Sequence, residues 1–181
     1  MAFLPGRIDE RINYTHPNAI NFLTNILCNL IAHDDVFLCI GTDKYIGDAL
    51  GPIVGNNLIK MHPDLKVYGT LKEPVHAINI VKTMHMVKKK HPTSRIVAID
   101  ACLGEPSSIG DICIKNQPLF PGKGVGKNLP PVGDISIIGI IDVYEMYSLR
   151  NTRLSLIMDM ADIISLSISM SLHSLQYRQY R

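Results

Sequence analysis

The stretch Val36-Phe37-Leu38-Cys39-Ile40-Gly41-Thr42-Asp43-Lys44-Tyr45-Ile46-Gly47-Asp48-Ala49-Leu50-Gly51-Pro52 decides how this chain is read. Its first five residues form an unbroken apolar run bounded by Asp35 and Gly41, the pattern of a strand covered on both faces of a sheet. Helical spacing follows over residues 49–61 and is stopped by His62-Pro63. A buried strand, a glycine-bearing turn and a helix make the opening unit of a sheet sandwiched between helices. The turn itself is not a phosphate cradle. Gly41, Gly47 and Gly51 are separated by five and three residues, which fits neither G-x-G-x-x-G nor G-x-x-x-x-G-K-[ST], and its aspartates would repel phosphate.

Outward from this unit, apolar residues at helical spacing predict a helix over residues 20–31, with Pro17 and Asn18 as start signals. Strands are expected at residues 66–71 and 95–100, separated by a helix at 77–90. Residues 108–115 alternate as an antiparallel strand nearer an edge, residues 116–131 form a Gly/Pro/Lys loop, and residues 134–142 form another strand. A long helix begins at about Thr152. The expectation is an α/β three-layer sandwich, a mostly parallel mixed sheet flanked by helices, in one domain spanning residues 1–181.

Composition removes several function classes. With 46% apolar and 19% charged residues and a net charge of +2, the chain has the profile of a globular protein. Its one basic run, Lys88-Lys89-Lys90-His91, suits the last turn of a helix better than a nucleic-acid surface. Cys28, Cys39, Cys102 and Cys113 lie apart in apolar segments and read as reduced, buried thiols. The beginning of the chain lacks the long apolar core of a signal peptide, so a cytoplasmic location is expected. Residues 154–175 are apolar but interrupted by Asp159, Asp162 and six serines, which reads as a core-packed helix rather than a membrane span.

In sheets of this type ligands bind outside the carboxyl ends of the strands, which directs attention to Asp48 and Asp100. Asp48 precedes the helix and reads as an N-cap, a position that still leaves one oxygen open to a substrate. Asp100 closes a buried run, where a charge must point into a polar cleft. Two acids meeting there would split their pKa values, one holding a proton while the other deprotonates water. His76 follows the strand at 66–71 and can reach the same cleft as a proton carrier or ligand. Asp43 reads as an exposed turn residue, and Asp134 as lying at the opposite end of its strand or in the loop. The remaining histidines show no metal spacing, residues 121–133 fail as a second phosphate loop at Pro121 and Asn128, and no G-x-S-x-G elbow occurs.

The segments CIGTDKYIGDALGP, VYGTLKEPVHA, IVAIDACLG, LPPVGDISIIGI and LRNTRLSLIMDMADII together resemble the YyaC family of sporulation-associated proteins, itself related to the spore germination protease. Within that resemblance DALGP and AIDA match the segments carrying the protease's two essential aspartates, which implies Asp48 and Asp100 as the catalytic pair. It further implies the fold of the hydrogenase maturation endopeptidases and a protein substrate such as small acid-soluble spore proteins, in the forespore or mother-cell cytoplasm. Gly41, Thr42, Gly47 and His76 are then expected to line the substrate, with no cofactor, no nucleic acid and no membrane partner. The hydrogenase maturation enzymes add a histidine to two acids to bind a metal. Asp48 and Asp100 match the acids, but the 134–142 region supplies no histidine, so no metal is assigned. Metal-dependent processing and an inactive peptide-binding module remain alternatives, and a homo-oligomer is left open.

Overall fold

The computed structural model describes residues 7–121, 129–143 and 152–179. Six strands form one sheet: β1 (Asp9–Asn13), β2 (Val36–Cys39), β3 (Lys66–Tyr68), β4 (Ile96–Gly104), β5 (Asp111–Lys115) and β6 (Ile135–Val143). Four helices accompany them: α1 (Ala19–Leu27), α2 (Leu50–Met61), α3 (Ile80–Lys90) and α4 (Leu154–Gln179). The strand order is β1-β5-β6-β4-β2-β3. β6, β4, β2 and β3 run parallel to one another, while β5 is antiparallel to both β6 and β1. This is the α/β sandwich that the alternating apolar runs and helical segments predict.

Every residue of β2 is buried because both of its faces are covered. Phe37 and Cys39 enter a core with Leu50 and Val54 of α2, Leu23 and Leu27 of α1, and Met160 and Ile164 of α4. Val36 and Leu38 point the other way, into a second core with Ile80 and Val87 of α3 and the bridged pair Leu119 and Val132. On the first face α4 packs between α1 and α2. Its serines turn their hydroxyls to carbonyls: Ser171 donates to Thr24 and to Ser167 of its own helix, and Ser165 to Ala161. Residues Leu154–Leu175 are long and apolar enough to cross a membrane by length and composition, and half of the most apolar window is buried inside the fold.

The coordinates correct several sequence expectations. β5 is antiparallel and one strand in from the edge, but the edge strand beside it, β1, is one that the sequence does not announce. The sequence of β1, DERIN, is mostly exposed and carries three charges in five residues, so it has no apolar alternation to betray it. The strand expected to stop at Asp100 continues to Gly104, and α3 starts at Ile80 instead of residue 77. Cys28 and Cys102 are half-buried instead of buried, although all four cysteines are free. Lys88, Lys89 and Lys90 do occupy the last turn of α3, beside its negative end.

α4 and α2 both press on the sheet at Gly139 of β6, where an added Cβ would lie 2.9 Å from Met160 Cε and 2.3 Å from Leu50 Cδ2. Met160→Ala is therefore expected to destabilise the fold by about 2–5 kcal/mol, because the space it leaves lies between a strand and two helices that cannot all close in. Chemical denaturation followed by circular dichroism checks this.

Candidate active site

β2 accompanies β4 only from Val36 opposite Ile96 to Cys39 opposite Ile99, whereas β6 stays beside β4 as far as Gly104. From Asp100 onward, β4 therefore has a neighbour on one side only among the described strands. The chain leaving β2 passes through α2 to β3 on one side of the sheet, and the chain leaving β4 goes to β5 on the other. Oppositely directed connections from adjacent parallel strands open a crevice at their carboxyl ends.

One wall of this crevice is the turn after β2, and backbone bonds fix its course. Gly41 N–H donates to the Val75 carbonyl at 2.7 Å, Thr42 N–H to the Asp48 carbonyl at 2.9 Å, and Asp48 N–H to the Tyr45 carbonyl at 3.0 Å. Glycines make the closure possible. At Gly41, with φ of 134°, an added Cβ would lie 2.0 Å from the Asp48 carbonyl oxygen, and at Gly51 one would lie 2.1 Å from that of Ile40. The bare side of Gly41 is thus filled by the chain itself, and this glycine seats Asp48.

Asp48 lies in a 3₁₀ turn, Ile46–Ala49, and the N-cap position of α2 is held by Ala49 with no side-chain cap bond. The N-cap expected at Asp48 is therefore not formed, because the extra 3₁₀ turn moves the helix start past it. Its carboxyl is half-buried, and burial pushes its pKa up to about 6 against the lowering effect of the Thr42 N–H. Asp100 lies within β4 rather than after it, with Oδ1 accepting the Ala101 N–H at 2.9 Å. Burial, followed by the negative charge of Asp48, holds its pKa well above the usual carboxylate range, with the Ala101 N–H opposing. The two acids thus come within electrostatic reach from a turn and a neighbouring strand. The two shifts oppose ionisation of both acids together.

The other expected site residues divide. Thr42 is half-buried beside Asp48, and Gly47 is buried in the 3₁₀ turn. Val75 bridges Ile40, which brings the next residue, His76, to the end of β2. There the His76 N–H donates to Asn79 Oδ1 at 2.8 Å and its Nδ1 accepts the Ile78 N–H at 3.3 Å, so the side chain is turned to its own loop. Asp43 is exposed, and Asp134 sits at the far end of the sheet, accepting the Ile96 N–H. The Gly/Pro/Lys loop over residues 116–131 is described only in part, and residues 122–128 lie outside the described residues.

Among the described residues no three His, Cys, Asp or Glu side chains gather as a metal-ligand set. Cys102, two residues beyond Asp100, is no nucleophile at neutral pH: burial, then the nearby Cys113 and Asp100, push its thiol up to about 11. Sequence reading missed a cavity of about 520 Å³ at the end of β6, where Asp142 accepts the Thr152 hydroxyl at 2.9 Å beside Tyr14 and Arg153. Its lining comes from four separate segments with no shared motif.

A family model described as "Protein of unknown function (DUF1256)" matches residues 11–167. The chain belongs to this family. It is 39% identical over 183 residues to the "Uncharacterized protein YyaC" of Bacillus subtilis (strain 168), a match covering 97% of this chain and 89% of that protein. The turn carrying Asp48 and the strand carrying Asp100 both lie inside the region that the family shares.

Because the fold raises both carboxyl pKa values above their unfolded value, their contribution to stability is present at acid pH and is lost as pH rises through the folded values. Asp48→Asn is therefore expected to stabilise the protein at pH 8, on the order of 1–3 kcal/mol, with the gain vanishing near pH 4. Asp100→Asn should act in the same direction, since an amide can still accept the Ala101 N–H. Thermal melts of both variants across this pH range check the sign.

Proposed function

We propose that the crevice hydrolyses peptide bonds, with Asp48 and Asp100 as the catalytic pair. The observation carrying this reading is the pair itself: two acids from distant parts of the chain, both shifted upward, facing one crevice at a switch point of the sheet. The resemblance of DALGP and AIDA to the aspartate segments of the spore germination protease supports it.

The carboxylate of Asp48 takes a proton from a water molecule as the water oxygen attacks the peptide carbonyl carbon. Asp100, the more strongly shifted acid, keeps its proton and donates it as a hydrogen bond to the carbonyl oxygen as negative charge develops there. The proton gained by Asp48 then passes to the leaving nitrogen, completing cleavage to an acid and an amine. The substrate is a protein, in this reading a small acid-soluble spore protein in the cytoplasm of a spore-forming cell.

With such a spore protein as substrate, Asp48→Asn and Asp100→Asn are each expected to lower kcat/KM by about 10²–10⁴-fold while the melting temperature holds or rises. Cleavage at the wild-type rate by either variant defeats the assignment. A second readout is the pH profile. kcat/KM should climb as pH rises through about 6, where Asp48 ionises, and fall once Asp100 loses its proton.

A further inference from the structure

The alternation of β4 fixes where its backbone groups point. Ile96, an even-numbered residue, exchanges both backbone groups with Asp134 on the β6 side. The odd-numbered residues turn to β2: the Arg95 carbonyl accepts the Val36 N–H at 2.8 Å and the Ile99 carbonyl accepts the Ile40 N–H at 2.7 Å. β2 then ends and Ile40 turns away to bridge Val75. The next donor on this edge, the Ala101 N–H, is taken by the Asp100 carboxyl. The register with β6 shifts between Cys102 and Leu103, but the extra residue, Ile141, lies in β6, so β4 keeps its alternation: the Ala101 carbonyl and both backbone groups of Leu103 face the place that β2 has vacated, with no strand partner there among the described residues. Burial follows the same division: Ile96 to Ile99 are fully buried, while Asp100 to Gly104 are all half-exposed.

An acceptor, a donor and an acceptor in a row at strand spacing are what an extended peptide pairs with. The opposite wall is the 3₁₀ turn carrying Asp48, which packs against β4 and bears the exposed side chains of Tyr45 and Ile46. From this juxtaposition we infer that the open edge of β4, Ala101 to Leu103, binds its substrate by adding an extended polypeptide strand to the sheet. Resting on the hydrolytic reading above, this narrows the substrate class to chains, or segments of chains, that have no fold of their own where they are cut. Strand addition holds the main chain along β4 beside both acids, and it is indifferent to most side chains except where alternate ones meet Tyr45 and Ile46. A helical or folded segment has its own backbone groups already paired and cannot make these bonds.

The test uses the full-length Asp100→Asn protein, so that binding is read without turnover, with β-casein, a chain lacking a stable fold, as the probe. Amide hydrogen exchange at Leu103 is expected to be fast in the free protein and to slow by about tenfold or more when β-casein saturates it. A casein peptide N-methylated at alternate residues, which removes the donors along one edge, should fail to produce the slowing. A Leu103 amide already protected in the free chain overturns the inference. So does β-casein that fails to bind, or that binds without protecting Leu103. Wild-type protein incubated with β-casein separates the two ideas. Cleavage without protection at Leu103 leaves hydrolysis standing and removes the docking edge, whereas protection without cleavage does the reverse.

Discussion

Two half-buried carboxyl groups within electrostatic reach of each other, Asp48 and Asp100, are the constraint around which this molecule is arranged. Among the described residues no cation pairs with Asp48 or Asp100: the ion pairs lie elsewhere, at Asp35 with Arg95 and along the β1 and β5 pairing. Burial instead moves both pKa values upward, and the Asp48 charge adds to the shift at Asp100. An arrangement that opposes its own ionisation detracts from stability at neutral pH, and such arrangements persist where a poised proton has a use.

The surroundings keep the pair in register. Gly41 and Gly51 let the turn and the first residues of α2 press against backbone carbonyls at distances no other residue could tolerate. Leu50 then anchors α2 beneath the turn by packing over Gly139 of β6. Asp48 is thus connected through one short segment to β2, α2 and the core under α4, so its position is set by the best-buried part of the protein. Asp100 needs no such support, because a strand paired along its other edge already holds it.

How much of this could be read from the chain depends on the kind of signal each part carries. Residues 36–39 announce a buried strand because both faces are covered and every position is apolar. The helices α2 and α3 and the strands β5 and β6 are legible for similar reasons of periodicity and punctuation. β1 is invisible, since its contribution is backbone pairing with β5 and its first three side chains are exposed, leaving Ile12 as its one apolar contact with the core. The end of β4 was misplaced because an acid normally marks the close of a buried run. Here Ala101 to Leu103 continue the strand at a point where its neighbour has already departed. The cap assigned to Asp48 failed for a local reason: a single 3₁₀ turn, which no residue pattern distinguishes from the first turn of an α-helix, shifts the helix start to Ala49. Both acids were found because they lie at strand and helix boundaries in sequence. Their convergence is a matter of strand order, which becomes visible only in three dimensions.

The outer edge of β1 contrasts with the inner gap beside β4. Asp9, Glu10 and Arg11 crowd this margin of the sheet, and all three are exposed. Were two molecules to join their sheets antiparallel about the middle of this strand, Arg11 of one would face Arg11 of the other, and like charges directly opposite are unfavourable. Charge on a margin discourages stray polymerisation through the backbone. This margin of the sheet is thus fenced by electrostatics against its own kind, whereas the stretch of β4 past the end of β2 is half-exposed and carries a single charge, that of Asp100.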